Sequence, residues 1–454
     1  MTQRQYILVS VCISSFITPF LASSINVAIP AMAAGFRVEP TQLAWVVAAF
    51  LLGAACVLIP FGRLGDIMGR RRLFRIGIFC VFLATAGAGL APSAGVLIVF
   101  RFLQGVSIAM VFSTSTALLV AAHAPSERGK AIGYTSAAVY SGLSLGPFLG
   151  GVITQYLGWR MIFFLTALIL LVNCSIAGRI RGEWYGEKGA ALDYPGSLLY
   201  MAGTLAVLSG LSACGAKAYA PWLLGAGSLL AMLFLWRQRR VTSPLLDVSL
   251  FRNVLFAMSN LAAFLHYSAT FSIAFLLSLY LQLIRGLDEM TAGSILLLQP
   301  VMMAVLSPAA GALSDKFQPR MVASAGMGIT AVGIFLLALL EEGTPFPMVG
   351  GALLVVGTGF AFFSSPNGNA IMGAVEQRQL GIASSVMAFT RIFGQAVSMT
   401  VVTLLMRSYV MQEVATEGYE EALLRGIQHL LGMFACICCV GVGISMMRGR
   451  RDEK

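Results

Sequence analysis

Three ionisable side chains lie deep inside long apolar stretches of the sequence: Arg101, His266 and Arg391. A charge inside a bilayer is costly, so such residues usually face a water-filled cavity or a partner. Histidine side chains titrate at about pH 6.5, so modest wetting changes the charge of an imidazole under cellular conditions. The residue types therefore predict a cavity with basic lining and a proton carrier at His266. The alternative roles are structural: an arginine that bonds backbone carbonyls, and a neutral imidazole with one partner.

Other polar and aromatic side chains in these stretches are candidates to line the same cavity. They are Asn26, Gln104, Asn260, Tyr267, Gln282, Gln299, Asn367, Asn369 and Gln395. Each has an alternative role in hydrogen bonding between helices. All 19 acidic residues fall in predicted loops or at predicted span ends, so no carboxylate is left for the membrane centre. This pattern favours neutral or anionic cargo over a permanent dication.

The sequence contains no pattern typical of an intramembrane enzyme or a metal site. It has no His-Glu-x-x-His pair, no paired intramembrane acids and no Ser/His arrangement that stands out. All eight cysteines lie in predicted apolar spans, where they resemble small packing residues rather than a disulfide framework. We therefore predict neither enzymatic activity nor a metal or other cofactor.

Long membrane-crossing helices must position these residues. Hydrophobic residues make up 58% of the chain and charged residues 11%, and the mean hydropathy is +0.85. A helix of about 20 apolar residues spans the hydrocarbon core, and the chain has about fourteen such stretches. They lie at residues 6–33, 41–61, 73–91, 95–122, 129–153, 159–179, 195–216, 220–237, 255–283, 290–312, 321–340, 346–372, 380–406 and 426–447. We predict an all-α integral membrane protein.

The basic residues are distributed unequally between the two sides of this arrangement. The net charge is +11, and most of the 30 lysines and arginines fall on the side that holds both termini, including Arg448, Arg450, Arg451 and Lys454. Positive loops favour the cytoplasmic side. We predict a plasma-membrane protein, in contact with membrane lipid, whose N- and C-termini are both cytoplasmic. The basic excess indicates topology and no nucleic-acid partner.

A short turn occurs twice, eight spans apart. Residues 62–72 read Gly-Arg-Leu-Gly-Asp-Ile-Met-Gly-Arg-Arg-Arg, and residues 311–320 read Gly-Ala-Leu-Ser-Asp-Lys-Phe-Gln-Pro-Arg. The repeat predicts two six-helix halves related by an axis along the membrane normal, with chance duplication as the alternative. The predicted divisions are an N-terminal bundle at 1–182, an inserted pair of helices with linkers at 183–253, and a C-terminal bundle with its tail at 254–454.

Several segments resemble motifs of the major facilitator superfamily. Residues 62–72 resemble its loop signature, residues 101–105 (Arg-Phe-Leu-Gln-Gly) its fourth-helix motif, and residues 142–151 the fifth-helix motif of its antiporters. Further stretches, at 193–196, 244–253, 280–282, 292–293 and 365–370, resemble the 14-helix drug/proton antiporter subgroup. The resemblance covers essentially the whole chain. It implies a major-facilitator fold, with two six-helix bundles and an inserted two-helix hairpin, that works by alternating access.

The resemblance also implies a set of gate residues. By it, Asp66 and Arg70 hold the two halves together on the cytoplasmic side, with topology anchoring as the alternative. The physics agrees, because an aspartate can accept hydrogen bonds from the N-terminus of a facing helix. Glycines permit tight turns and close helix approach. The gate positions are Gly62, Asp66, Gly69, Arg70, Gly142, Gly146, Pro147, Gly150, Gly151 and Asp315.

One departure from the family pattern concerns the first span. Relatives in the subgroup commonly carry an acid shortly before an Asn-Val-Ala-Leu-Pro stretch, whereas residues 21–30 read Leu-Ala-Ser-Ser-Ile-Asn-Val-Ala-Ile-Pro, without an acid. The absence puts a cationic substrate and a carboxylate proton carrier in doubt. His266 is then the best intramembrane candidate for proton transfer, and Asp66 is the competing cytoplasmic one.

These observations predict a monomeric secondary transporter that exports an amphipathic or lipid-like small molecule and is driven by protons. One alternative keeps the fold and exports or flips an anionic metabolite or lipid. A second alternative, of another class, is a membrane receptor or scaffold that binds its ligand without transport. The intact gate motifs argue against that second alternative.

Overall fold

The computed structural model describes residues 2–38, 40–214, 217–417 and 419–447, and their regular structure is helical. The predicted basic residues Arg448, Arg450, Arg451 and Lys454 lie outside these ranges. Spans 1 to 8 are Gln3–Phe36, Pro40–Met68, Arg70–Gly89, Ala94–Ala122, Arg128–Leu157, Arg160–Gly178, Tyr194–Ala213 and Ala220–Gln238. Span 9 comprises Val254–Thr270, Ile273–Leu279 and the π-helical turn Tyr280–Ile284, and span 10 comprises Glu289–Leu296 and Leu298–Lys316. Spans 11 to 14 are Pro319–Ala338, Phe346–Gly373, Leu380–Glu417 and Tyr419–Met446.

The described residues form 14 helical segments that are long and apolar enough to cross a bilayer. This confirms the predicted all-α membrane fold. The predicted ends of spans 2 and 10, at residues 61 and 312, are wrong. Span 2 continues to Met68 and span 10 to Lys316, so both repeated motifs begin within a helix rather than in a loop.

Span 2 continues past its apolar stretch because the charges there are paired. Arg63 contacts Glu187 at 2.7 Å, and Asp66 contacts Arg70 at 2.7 Å. The reversal occurs at Gly69, which alone separates spans 2 and 3 and has φ of 106°. A side chain at that φ would be strained, which is the reason for a glycine at this position.

Buried apolar side chains show where the two halves of the chain meet. At the end that carries the repeated motifs, hereafter the motif end, one cluster includes Phe74 of span 3 and Val386 of span 13. At the opposite end, the first half has its own cluster around Phe163, and the second half has another around Leu353. The halves therefore pack together at the motif end and form separate cores at the opposite end.

The inserted hairpin, spans 7 and 8, rests on both halves. The Tyr200 hydroxyl donates to the Ala55 carbonyl of span 2 at 2.8 Å, and the Tyr200 ring lies 5.9 Å from that of Phe389 in span 13. Asp193 joins the ends of the hairpin through Arg237, at 2.8 Å. Burial alone would raise the pKa of the Asp193 carboxyl, but hydrogen bonds, chiefly from Arg237, outweigh burial and lower that pKa.

Candidate functional site

The gate of the first half is a buried ion pair at the end of span 2. The side chains of Asp66 and Arg70 are both 0% exposed, and Arg70 Nε donates to Asp66 Oδ1 at 2.8 Å. The second half completes the arrangement. The backbone N–H of Ile382 donates to Asp66 Oδ2 at 3.3 Å, and Arg70 Nη2 donates to the Gln377 carbonyl at 2.6 Å. The predicted contact between an aspartate and a facing helix N-terminus is present, here at the start of span 13.

The second half repeats this contact on the first half. Asp315, at the end of span 10, accepts hydrogen bonds from the backbone N–H groups of Gly129 at 2.7 Å and Lys130 at 2.9 Å. Both groups belong to the first turn of span 5, where the helix dipole favours an anion. Asn369 also donates to Asp315, at 3.2 Å. Four residues after Asp315 stands Pro319, so this motif has no counterpart of Arg70.

Glycines bring the two halves close together at both contacts. A Cβ at Gly62 would collide with the side chain of Ser385 in span 13, and one at Gly311 would collide with the Gly129 carbonyl of span 5. A Cβ at Gly133 would lie 2.6 Å from the Ser307 carbonyl. Gly129 and Gly133 were missed by the sequence analysis, although their four-residue spacing is a signal for close helix packing.

The other predicted glycines pack span 5 onto span 1 within the first half. A Cβ at Gly142 or Gly146 would collide with span 1, and one at Gly150 would lie 2.6 Å from the Ser24 Cβ. Gly151 is looser, at 3.8 Å from Val27. Pro147 lies within the span 5 helix between these contacts. These residues therefore join two helices of one half, and the contact across the halves is made by the motif-end part of span 5.

Arg101 and Gln104 do not line a cavity as predicted. Arg101 is 1% exposed, and its guanidinium donates to the Val46 carbonyl at 2.9 Å and to Gln104 Oε1 at 2.5 Å. Gln104 donates in turn to Thr85 at 2.5 Å, and the Phe50 ring lies 4.5 Å from the Arg101 guanidinium carbon. These partners hold the guanidinium inside the first half, among spans 2, 3 and 4, although its Nη2 has no hydrogen-bond partner among the described residues. The structural alternative, an arginine bonded to a backbone carbonyl, describes Arg101.

We expect Arg101→Met to destabilise the protein by about 2 kcal/mol, because it leaves the Val46 carbonyl and the Gln104 side chain without their donor. Thermal unfolding in detergent measures the loss. Arg75→Gln, at an exposed position on span 3, is the control and should change the stability little. Equal stability of Arg101→Met and the parent would contradict the structural role.

His266 is completely buried rather than open to a cavity. Its ring centre lies 4.0 Å from that of Phe363 and 4.7 Å from that of Phe360, both in span 12. Both ring nitrogens lack a hydrogen-bond partner among the described residues. An unpartnered imidazole between aromatic rings is unusual, since buried polar groups normally find partners. The site therefore favours a neutral ring in this arrangement.

Aromatic side chains from both halves pack together where the halves converge, and Tyr140 and Phe360 are buried there. Tyr140 of span 5 donates to Ser364 of span 12 at 2.9 Å, and its ring meets that of Phe360 edge-on at 5.6 Å. The Tyr267 ring of span 9 lies 5.8 Å from that of Phe360. Arg391 of span 13 is half-buried and interacts electrostatically with Tyr140. These four residues, Tyr140, Tyr267, Phe360 and Arg391, are called the chamber below.

Arg391 differs from Arg101 in its partners. No hydrogen bond or ion pair ties it to the residues that the structure describes, and its guanidinium carbon lies 5.2 Å from the centre of the Phe112 ring of span 4. The charge is therefore available to a bound molecule. Of the chamber, the sequence analysis found Tyr267 and Arg391. It missed Tyr140 and Phe360, because an aromatic residue in an apolar helix reads as core packing.

Three further predicted residues lie elsewhere. Asn26 is exposed on span 1, and Gln282 is half-buried in the π-helical turn, where it donates to Ser278 at 2.8 Å. Asn367 is buried and donates to the Ser259 carbonyl at 3.2 Å, which joins spans 12 and 9. Within the described ranges, no group of three His, Cys, Asp or Glu side chains is placed to hold a metal ion.

Comparisons with known proteins agree with this architecture. A family model described as Major Facilitator Superfamily matches residues 11–399 and, in a second match, residues 259–446. The riboflavin transporter RibZ of Clostridioides difficile is 27% identical over 100% of this chain and 99% of that protein. The multidrug resistance protein Stp of Mycobacterium tuberculosis is 31% identical over 83% of this chain and 71% of that protein.

Solved structures share the fold. The human organic anion transporter MFSD10 (TETRAN) superposes with a TM-score of 0.68 at 15% identity, over 98% of this chain and 100% of that chain. A bacterial homologue of the iron transporter ferroportin, in an outward-facing state, gives a TM-score of 0.68 at 13% identity, over 99% of both chains. At such identities the likeness concerns the fold alone.

Proposed function

Since this chain belongs to the Major Facilitator Superfamily, we propose that it exports a planar, amphipathic small molecule, neutral or anionic, across the plasma membrane in exchange for protons. The chain is a transporter and not an enzyme. The observation that carries the cargo class is the chamber, in which aromatic rings from three spans lie together with an arginine that has no hydrogen bond or ion pair among the described residues.

The chamber favours a planar ring system with little or no positive charge. Tyr140, Tyr267 and Phe360 are the rings on which a planar cargo would stack once the halves part, and Arg391 supplies a cation. The carboxylates described within the spans, such as Asp66 and Asp315, lie in terminal turns. They are therefore not placed to neutralise a dication bound at the chamber. A riboflavin transporter among the relatives supports this class, since riboflavin has a planar ring system and no cationic centre.

The proposed cycle starts from the arrangement described above. The basic residues near the motif end, including Arg70, Arg71 and Arg72, favour the cytoplasmic side. The halves, proposed as residues 1–182 and 254–454, are joined at that end, so we propose that the chamber opens towards the outside. Export then requires the motif end to open, admit cargo and close again, by rocking of the halves around the chamber. One chain contains both halves, so we propose a monomer in a lipid bilayer.

Proton coupling is proposed to run through His266. Its neutral ring is buried beside Tyr267 and Phe360, so movement of the chamber changes its access to water. We expect His266→Gln to bind cargo normally and to lose the dependence of flux on a pH gradient, since glutamine does not titrate. Flux in proteoliposomes with and without a gradient measures this, with binding measured separately. Unchanged pH dependence in His266→Gln would place the coupling site elsewhere, with Asp66 as the next candidate.

The same flux assay on the parent protein tests the proposed function. Uptake of a planar aromatic anion into inside-out vesicles should rise when the vesicle interior is acidic. Flux without pH dependence would make the protein a facilitator. Binding without flux would favour the receptor or scaffold.

The alternative cargo, an anionic metabolite or lipid, is favoured by the same basic chamber without a nearby carboxylate. A fluorescent anionic phospholipid in the same vesicles distinguishes it. Transfer of that lipid between leaflets, with no flux of the soluble anion, would favour the flippase.

A further inference from the structure

The linker between spans 6 and 7 packs directly on the gate of the first half. Span 6 ends at Gly178, and span 7 begins at Tyr194. Between them, residues 183–187, here called the linker clasp, contact the ends of spans 2 and 3. The repeated motifs did not predict this contact, because the clasp lies more than 100 residues after the turn that it touches.

Glu183 caps span 3 from outside that helix. The N-cap residue, Gly69, has no side chain to accept hydrogen bonds from the first turn. Glu183 does so instead: Oε1 accepts from the Arg71 N–H at 2.7 Å and Oε2 from the Arg72 N–H at 3.2 Å. A carboxylate at this position satisfies otherwise unpaired N–H groups and interacts favourably with the helix dipole.

Gly69 is needed for this cap as well as for the turn. A Cβ at Gly69 would lie 2.5 Å from Glu183 Cδ and 2.7 Å from its Cγ. The next residue of the helix, Arg70, donates its backbone N–H to the Trp184 carbonyl at 2.9 Å. The clasp therefore binds the backbone of the arginine whose side chain makes the gate ion pair.

The clasp also binds the aspartate side of the gate and reaches the other half. The Asp66 carbonyl accepts from the Gly186 N–H at 2.9 Å and from the Glu187 N–H at 3.1 Å. A Cβ at Gly186 would collide with the Arg378 carbonyl of the second half. Glu187 pairs with Arg63 at 2.7 Å, and the Arg63 side chain is only 5% exposed.

The second gate has no comparable segment among the described residues. Both carboxylate oxygens of Asp315 accept hydrogen bonds from the first turn of span 5, and its neighbour Asn369 belongs to span 12. The clasp exists on one side because the chain continues from span 6 to the inserted hairpin. Asp193, which fastens the two ends of that hairpin, follows the clasp by six residues.

We propose that the linker clasp is a positioning element of the motif-end gate. Glu183 holds the first turn of span 3 through the Arg71 and Arg72 N–H groups. The clasp backbone at Trp184, Gly186 and Glu187 holds the backbones of Arg70 and Asp66 in the closed arrangement, and opening of the motif end requires Gly186 to part from the Arg378 carbonyl. The clasp thereby links the inserted hairpin to the gate. This inference rests on the alternating access proposed above and is independent of cargo and of proton coupling.

Labelling of single cysteines from each end tests the clasp. In a background with the eight native cysteines replaced, Ser385→Cys reports opening of the motif end, since Ser385 is 0% exposed against Gly62. Asn26→Cys, exposed on span 1, reports the opposite end. The probe is a membrane-impermeant maleimide, applied to the purified full chain in lipid nanodiscs. Each reporter is combined with Glu183→Gln, with Glu187→Gln, or with the control Glu127→Gln, whose exposed ion pair with Arg4 lies at the same end.

Glu183→Gln should raise labelling at Ser385→Cys about three- to tenfold and lower it at Asn26→Cys, because charge-assisted hydrogen bonds that favour closure are lost. Glu187→Gln should have a smaller effect in the same direction, since Glu187 is 45% exposed. The control should match the parent. Labelling that rises at both ends indicates general loosening and overturns the proposal, as does no change at either end. If the parent shows no flux but Glu183→Gln still shifts the labelling as expected, the proposed function is overturned and the role of the clasp in the gate is retained.

Discussion

Asp66→Asn is expected to raise the ratio of protein that is open at the motif end to protein that is closed there by about tenfold. The substitution leaves the Arg70 cation buried without its anion and removes the charge that accepts from the Ile382 N–H of the second half. Breaking a buried ion pair costs several kcal/mol, of which about 1–2 kcal/mol should fall on the contact between halves. Distances between spin labels at the exposed positions Arg75 and Lys316, one on each half, measure the shift.

Two companion variants sharpen this experiment. Asp315→Asn should raise the ratio of open to closed protein less, by about threefold, because no arginine is left unpaired at the second gate. The same spin-label distances measure this ratio. Glu376→Gln is the matched control: its ion pair with Arg378 lies at the same end and is largely exposed, so it should have little effect. Equal distances in Asp66→Asn and the parent would reduce Asp66 to a topology anchor.

The sequence was most informative about features that depend on local composition. Apolar length alone gave the number of spans, because each helix must satisfy its own backbone within lipid. The repeated aspartate also predicted its own kind of partner. Asp66 and Asp315 each meet the first turn of a helix in the other half, as the dipole argument requires.

The sequence was least informative about which face of a helix a residue occupies. Arg101 and Arg391 both stand in apolar stretches and looked alike, yet the first is enclosed by spans 2, 3 and 4 while the second has no hydrogen-bonding protein partner among the described residues. The difference depends on helix packing, which the spacing of apolar residues does not encode when a helix is apolar on all sides. The partner of Glu183 could not be predicted from the sequence either, because this loop residue binds the start of a helix that lies more than 100 residues earlier in the chain.

Arg391 is expected to determine the charge preference of the cargo. Arg391→Gln should weaken binding of a planar aromatic carboxylate about ten- to a hundredfold, because one charge-assisted contact is lost in a partly buried site. The neutral amide on the same ring system should bind within about threefold of the parent, since stacking on Tyr140, Tyr267 and Phe360 is retained. A competition series with the carboxylate, the amide and a quaternary ammonium analogue measures the preference.

Arg391→Lys separates charge from shape in this experiment. Lysine keeps the cation but loses the planar guanidinium beside Phe112, so it should retain the preference for the carboxylate at reduced affinity. If the parent instead binds the quaternary ammonium analogue best, the chamber must hold a carboxylate at its edge. If all three analogues lose affinity equally in Arg391→Gln, the arginine supports the fold of the chamber rather than the charge of its cargo. If Arg391→Gln loses affinity only for the carboxylate, Arg391 binds the anionic group of the cargo. The anionic end of an amphipathic cargo then faces span 13.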